Sequence, residues 1–321
     1  MNKAYPIPQR ILQDLIEVEK ELTKAATASD GILAEASLAT LKAGGKRLRP
    51  ALVLMSGMVG DYDLEKLMPA AVASELIHMA SLIHDDILDD ATTRRGIPTV
   101  NSVQGERVAL ATGDYLFATA FEILSNSEMQ LVEVMVRAAI DLSLGEFDQM
   151  VTAHVTEQRF EDYLQKAKRK TAALFAACCE VGSSISGASA VEVRALTSYG
   201  ENLGIAFQIY DDVLDVAGGE QTGKAVGVDV RDGTVTVPIL YALEELGSGS
   251  DLAAIIASTR PSNKEIALAI KMINECGAIA RTKNTARSYI DKAMQSLEIL
   301  SKPDAVAIFK GIAEFVVDRY H

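Results

Sequence analysis

Apolar residues fall at helical spacing along almost the whole chain, and this restricts the fold more than any other feature of the sequence. Ile11, Leu15, Val18 and Leu22 form one stripe of an amphipathic helix, with charged residues on the other face. Pro50 opens an apolar segment from Ala51 to Val59 that Gly60 closes. Asp63 is placed to cap a long helix running to about Asp90, with Pro69 near its start, where proline is tolerated or kinks the helix. Further helices are expected over roughly 104–125, 128–152, 159–187, 190–217, 234–246, 262–276 and 277–300, with a last one after Pro303. Ala91 to Thr99 reads as a loop. The turn-rich breaks at Gly218-Gly219, Gly247 to Ser250 and Pro261 to Asn263 are too short for interdomain linkers, and no solenoid period is present. The expectation is a single all-α domain over residues 1–321. The absence of tryptophan and the 5% aromatic content suit helices better than a β-sandwich.

The formal net charge of −13 argues against nucleic-acid binding, which needs clustered Lys and Arg. A chain this acidic can hold an anionic substrate where its few cations are concentrated, and carboxylates in the same site then require metal ions. The three cysteines form no CxxC pair; Cys178 and Cys179 sit in the apolar run Leu174 to Val181, as small buried hydrophobes of a reducing compartment would. Met1 to Arg10 has two prolines and no apolar signal-peptide core. Other apolar runs are broken by charge within the ~18 residues a membrane span requires. The expectation is a soluble, cytoplasmic protein with no transmembrane segment.

Two clusters share one pattern. Asp85-Asp86-Ile87-Leu88-Asp89 and Asp211-Asp212-Val213-Leu214-Asp215 both read DDxxD, and each ends an apolar helical run. Residues four apart share a helix face, so Asp85 points with Asp89 and Asp211 with Asp215. Paired carboxylates repel, and the C-terminal half of a helix is an unfavourable place for acid. One such cluster could be a solvated acidic patch. Two in the same unfavourable setting are better explained as metal clamps facing one cavity, since Mg2+ takes one or two carboxylates together with waters and substrate phosphates.

Three short basic groups could supply the anion side: Gly44-Gly45-Lys46-Arg47-Leu48-Arg49-Pro50, Arg94-Arg95-Gly96 and Lys168-Arg169-Lys170-Thr171. Each alone is ordinary solvated surface; combined with two acidic metal motifs they imply a diphosphate ligand. His78, two turns before Asp85, reads either as a satisfied core histidine or as part of that site. His84 points to another face and reads as structural. Gln208, one turn before Asp212, can reach the same cavity.

These residues resemble the trans-isoprenyl diphosphate synthases, or polyprenyl synthases, of the long-chain hexaprenyl and heptaprenyl type. The likeness covers most of the chain: Gly44 to Pro50, Glu75-Leu76-Ile77-His78 through Asp85 to Arg95-Gly96, Gly113-Asp114, Lys170-Thr171, Gln208 to Asp215, Thr222-Gly223-Lys224 and Gly233 to Pro238. The resemblance implies a helical bundle around a deep central cavity, a homodimer, and two or three Mg2+ ions per site. It implies that Asp85, Asp89 and Asp211 hold Mg2+, with Asp215 supporting through water. It gives Arg94, Lys170, Thr171, Gln208 and Lys224 to the allylic prenyl diphosphate, and Lys46, Arg49, His78 and Arg95 to isopentenyl diphosphate. Asp85, Asp89, Asp211, Lys170 and Gln208 would carry the catalysis. Diphosphate departs from the allylic substrate, the double bond of isopentenyl diphosphate attacks the carbocation, and a proton is lost to the released diphosphate. Thr234 departs from the Lys or Asn common in relatives, which weakens any role for the Gly233 to Pro238 segment; Arg231 or Lys224 would compensate.

Chain length is expected from the helix carrying Asp85. Ala80 and Ser81 lie about one turn deeper and are small, where short-chain relatives place bulky aromatics as a floor. An open tunnel would give all-trans products beyond about C20, in the range of about C30 to C40. The next floor is expected at Ile77 or at Phe117 or Phe121. Three alternatives stand beside this reading: a terpene cyclase, a non-catalytic partner subunit, and a catalytic chain that needs a small second subunit.

Overall fold

The computed structural model describes residues 7–217 and 226–318. Among them the only strands are two of two residues each, and the rest of the regular structure is helical. The chain divides into two compact units, each drawn from separate stretches of sequence.

The first unit comprises Met1–Ala139, Leu174–Gly200 and Ser296–Ile312. It contains α1 (Gln9–Ala26), α2 (Gly31–Lys42), α3 (Leu48–Gly57), α4 (Leu64–Leu88), β1 (Thr93–Arg94), β2 (Ile97–Pro98), α5 (Val100–Gln104) and α6 (Glu106–Leu124). It also takes the start of α7 (Met129–Val151), nearly all of α9 (Ala173–Ile185), and the starts of α10 (Ala190–Ala217) and α16 (Pro303–Asp318). Helix α4 forms the core, packed against α1, α3 and α6. Its N-terminus is capped as the sequence predicts: the Asp63 carboxylate accepts the Glu65 backbone N–H at 3.1 Å. By length and composition α4 could cross a membrane, contrary to the expectation that charge breaks every such run, yet 72% of its apolar stretch is buried inside the protein. That is the behaviour of a core helix. Tyr199 joins α10 to α16, its buried hydroxyl donating to the Phe309 carbonyl at 2.7 Å while the rings meet edge to face.

The second unit comprises Ile140–Ala173, Glu201–Gln295 and Ala313–His321. It contains the remainder of α7 and α10, then α8 (Phe160–Ala167), a π-helical turn over Lys168–Ala172, α11 (Val228–Arg231), α12 (Val237–Leu246), α13 (Asp251–Ala257), α14 (Asn263–Glu275) and most of α15 (Ala278–Ser296). Helices α11, α12 and α13 pack on α14. Asn274 of α14 donates to the Val216 carbonyl at 2.9 Å, satisfying a group at the end of α10.

Three features differ from the sequence expectations. The segment 91–99 is a hairpin: Arg94 pairs with Ile97, and Arg95 and Gly96 both have positive φ, as a type I′ turn requires. The helix expected over 159–187 is interrupted by the π-turn, and α2, α5, α11 and α13 have no counterpart among the predicted helices.

Arg47 ties the first unit together. It sits in the left-handed region at φ 47° and donates to Glu19 at 2.8 and 2.9 Å, to Glu75 at 2.9 Å and to the Leu41 carbonyl at 3.0 Å. Glu75 is 3% exposed in the middle of α4, and without this guanidinium its charge would be buried uncompensated. Of the three cations in the Gly44 to Pro50 group, Arg47 is therefore structural. Arg47→Met is expected to destabilise the protein by about 3 kcal/mol, whereas Glu19→Gln, at an exposed carboxylate, should cost under about 1 kcal/mol. Urea unfolding checks this, and equal costs for the two variants would contradict the clamp.

Candidate active site

The last turn of α4 carries the first acidic cluster, and its three aspartates have different surroundings. Asp86 is turned inward, 7% exposed, and accepts from Arg94 through Nε at 2.8 Å and Nη2 at 2.7 Å. Burial raises its pKa while Arg94 opposes the rise. This bond braces the β1–β2 hairpin against α4. Asp85 is half-buried and Asp89, at the helix C-cap, is exposed.

The hairpin brings cations to a pocket of the first unit lined by Gly44, His78, Asp86, Arg94 and Arg95 among others. Burial first, and then the charges of Arg49, Arg95, Arg94 and Arg47, push the pKa of His78 well below its ordinary value. His78 is therefore a neutral imidazole ringed by guanidinium groups, an arrangement that favours an anion. Gly45 permits the closest approach: a Cβ there would lie 2.9 Å from Arg95 Nη1. Arg49 lies over the Phe175 ring, 5.2 Å from its centroid. Of the residues expected to take isopentenyl diphosphate, Arg49, His78 and Arg95 thus share one neighbourhood. Lys46 is exposed on the adjoining loop and does not line the pocket.

The second cluster lies near the end of α10 and repeats the pattern with other partners. Asp212 is 3% exposed and accepts from Tyr163 Oη at 2.6 Å and Gln208 Nε2 at 2.9 Å. The Gln208 carbonyl accepts in turn from Thr171 Oγ1 at 2.6 Å, so the amide is fixed from both ends. Burial pushes Asp212 up to about 6 against the two donors that pull it down. Asp215 accepts the backbone N–H groups of Val228 and Asp229, both at 3.1 Å, and so anchors α11. Asp211 is half-buried.

Lys170 and Thr171 lie in the π-turn, which inserts a residue and rotates the next turns of helix, a device frequent at functional sites. Gly145 of α7 makes room for it, since a Cβ there would lie 2.5 Å from the Lys170 backbone nitrogen. The three cations of this group take separate partners. Lys168 pairs with Glu201 at 2.7 Å and Arg169 with Asp148 at 2.7 Å. Lys170 pairs with Glu146 and donates to Gln149 Oε1 at 3.2 Å. Lys224 lies outside the described residues. Sequence reasoning missed Glu75, Glu146, Gln149 and Tyr163. The available signals were a glycine inside an otherwise strong helix at Gly145 and the two-turn spacing from Tyr163 to Lys170.

The residues expected to set chain length lie on α4 and α6, which pack against each other. Ile77 and Ala80 are fully buried, and Ser81 is buried with its hydroxyl donating to the His78 carbonyl at 2.8 Å. Phe117 and Phe121 are half-buried on α6, and the Phe117 ring lies 5.9 Å from that of His84.

No group of three or more His, Cys, Asp or Glu side chains is arranged as a metal cage among the described residues. The donor set nevertheless fits Mg2+, which takes one or two carboxylates and completes its sphere with waters and ligand phosphates. Gly45→Ala is expected to displace Arg95 and weaken binding of inorganic diphosphate by about tenfold, the loss of about one charge-assisted hydrogen bond. Calorimetry checks this, and unchanged affinity would remove Arg95 from the anion pocket.

Residues 30–273 match the family model described as polyprenyl synthetase. The chain is 40% identical over 308 residues to the heptaprenyl diphosphate synthase component 2 of Geobacillus stearothermophilus, covering 95% of this chain and 96% of that protein. Identity to the Bacillus subtilis protein of the same name is 38% over 321 residues, covering 99% and 92%. Among solved structures, heptaprenyl diphosphate synthase from Staphylococcus aureus superposes with a TM-score of 0.91 at 32% identity, covering 97% of this chain and 99% of that one. The polyprenyl synthase from Caulobacter crescentus, complexed with calcium and isoprenyl diphosphate, gives 0.92 at 32% identity over 98% of each chain. The chain belongs to the polyprenyl synthetase family.

Proposed function

We propose that this chain lengthens an allylic prenyl diphosphate by repeated head-to-tail condensation with isopentenyl diphosphate, giving a long-chain all-trans polyprenyl diphosphate. The observation that carries the reading is the repeated treatment of the acidic clusters: the inner aspartate is locked inward by a donor, and the outer pair stays one turn apart on the helix. Relatives named as heptaprenyl diphosphate synthase components support the long-chain product. The metal is Mg2+, held by Asp85, Asp89 and Asp211 with Asp215 in support, two or three ions per site. When bound, it neutralises the charge that builds on the departing diphosphate.

The chain's own residues do the rest. Lys170, Thr171 and Gln208, with Arg94 and Lys224, take the allylic diphosphate. Arg49, Arg95 and neutral His78, with Lys46, hold the diphosphate of the second substrate so that its double bond is oriented for attack. Arg94 reaches its position through Asp86, and Gln208 through Asp212. The apolar product runs along α4 past Ala80 and Ser81 toward Ile77, Phe117 and Phe121.

The protein acts as a single 1–321 domain in an assembly. Ile140, Leu144, Phe147 and Val151 of α7 are exposed at helical spacing, forming an apolar stripe with nothing over it in the isolated chain. A second copy covers this stripe in the main reading. The name of the Geobacillus stearothermophilus and Bacillus subtilis relatives, component 2, supports a second reading in which a small second subunit is also needed.

Incubating the purified chain with farnesyl diphosphate, isopentenyl diphosphate and Mg2+, and sizing the dephosphorylated products, tests this. The expected result is a ladder ending at about C30 to C40, shortened in Ala80→Phe by a floor about one helical turn higher. An unshortened ladder would remove Ala80 as a determinant of length. Elongation only after adding the second subunit would establish the second reading, and no elongation under either condition would overturn the synthase reading.

A further inference from the structure

Helix α8 and the π-turn after it place Tyr163, Lys166 and Lys170 at helical spacing. Two of the three have close partners: Tyr163 donates to Asp212, and Lys170 is paired with Glu146 and Gln149. Lys166 lies between them along the chain. It is 6% exposed, and its buried Nζ has no hydrogen-bond partner among the described residues. An ammonium group withdrawn from water costs several kcal/mol unless charge nearby offsets it. Burial, the largest effect, lowers the pKa of Lys166; the charges of Asp212 and Asp229, and then Asp148, oppose that fall, and Lys170 adds to it.

The acids have the complementary problem. Asp211, Asp212 and Asp215 crowd one end of α10, and Asp215 draws Asp229 beside them through its backbone bond. In the metal-free protein this cluster needs a positive charge that does not sit on any one carboxylate. A hydrogen-bonded lysine would neutralise one aspartate; an unbonded one acts on several through its field.

We propose that Lys166 is the resident counter-charge of the second acidic cluster, holding its aspartates together without metal and weakening their intrinsic affinity for a divalent cation. It is a positioning residue, and the proposal rests on reading that cluster as a metal site. A consequence is that the cluster binds metal well only when a diphosphate arrives, because the anion offsets the ammonium.

The test uses Mg2+ alone, with calorimetric titration and thermal melting in chelator and in Mg2+. Lys166→Met is expected to bind Mg2+ about tenfold more tightly, to melt lower than wild type in chelator, and to gain more from Mg2+. Lys166→Arg, which keeps the charge, should behave as wild type. Should Lys166→Met fail to fold, the Lys166→Met/Asp229→Asn double variant, in which one acid is also removed, should recover the wild-type melting temperature in chelator. Unchanged or weaker Mg2+ binding in Lys166→Met, or no recovery in the double variant, would overturn the proposal. Asp211→Asn separates the two claims. If it leaves Mg2+ binding at the wild-type level, the metal reading of the cluster fails; if it weakens binding while Lys166→Met does not strengthen it, the counter-charge alone fails.

Discussion

The inner aspartate of each acidic cluster is turned into the protein and fixed there by a donor from another element, and the arrangement around both clusters depends on that bond. Asp86 accepts from Arg94 of the hairpin. Asp212 accepts from Tyr163 of α8 and from Gln208 one turn back on α10. Each bond does two things at once. It removes one carboxylate from a crowded helix end, where the macrodipole already disfavours negative charge. It also sets the position of a polar group beside the cluster: the guanidinium of Arg94 in one unit, and the amide of Gln208 with the hydroxyl of Thr171 in the other. The outer aspartates are left with the spacing that a hard divalent cation and a phosphate can share.

The same pairing of charge runs through a chain with a net charge of −13. Its cations are committed to specific acids. Arg47 neutralises Glu75 in the core, Lys168 and Arg169 take Glu201 and Asp148, and Lys170 sits with Glu146 and Gln149 at the turn where α7 passes closest. The guanidinium groups of Arg47, Arg49, Arg94 and Arg95 gather around His78, and the neutral imidazole between them adds no further positive charge. Clustered cations of this kind favour an anion locally even where the net charge of the molecule is negative.

Much of this was legible in the residues, and the reason it was so is also the reason the rest was not. Helical period, the Asp63 cap and the paired DDxxD spacing are local signals, and α1, α4 and α10 appear where those signals put them. Short elements defeat period: the hairpin strands have two residues each, α5 has five, α11 has four and α13 has seven. The twelve-residue α2 was missed for another reason, that its leucines and alanines do not fall in one stripe. The π-turn was invisible because its residues are good helix formers and only the tight passage of Gly145 marks it. Spacing paired Asp85 with Asp89, but it could not tell that Asp86 and Asp212 are braces, because Tyr163 lies 49 residues from Asp212 in sequence. Residue type alone did not separate Arg47 from Arg49 in one basic group; the physical difference is a buried glutamate on another helix.

The division of labour inside each cluster is the central claim, and a crystal structure with Mn2+ and an unreactive allylic diphosphate analogue tests it most directly, since anomalous scattering locates the metal without ambiguity. The account predicts metal at about 2.0–2.3 Å from carboxylate oxygens of Asp85, Asp89 and Asp211, with Asp86 still on Arg94 and Asp212 still on Tyr163. Metal coordinated by Asp86 or Asp212, with those braces broken, would contradict it.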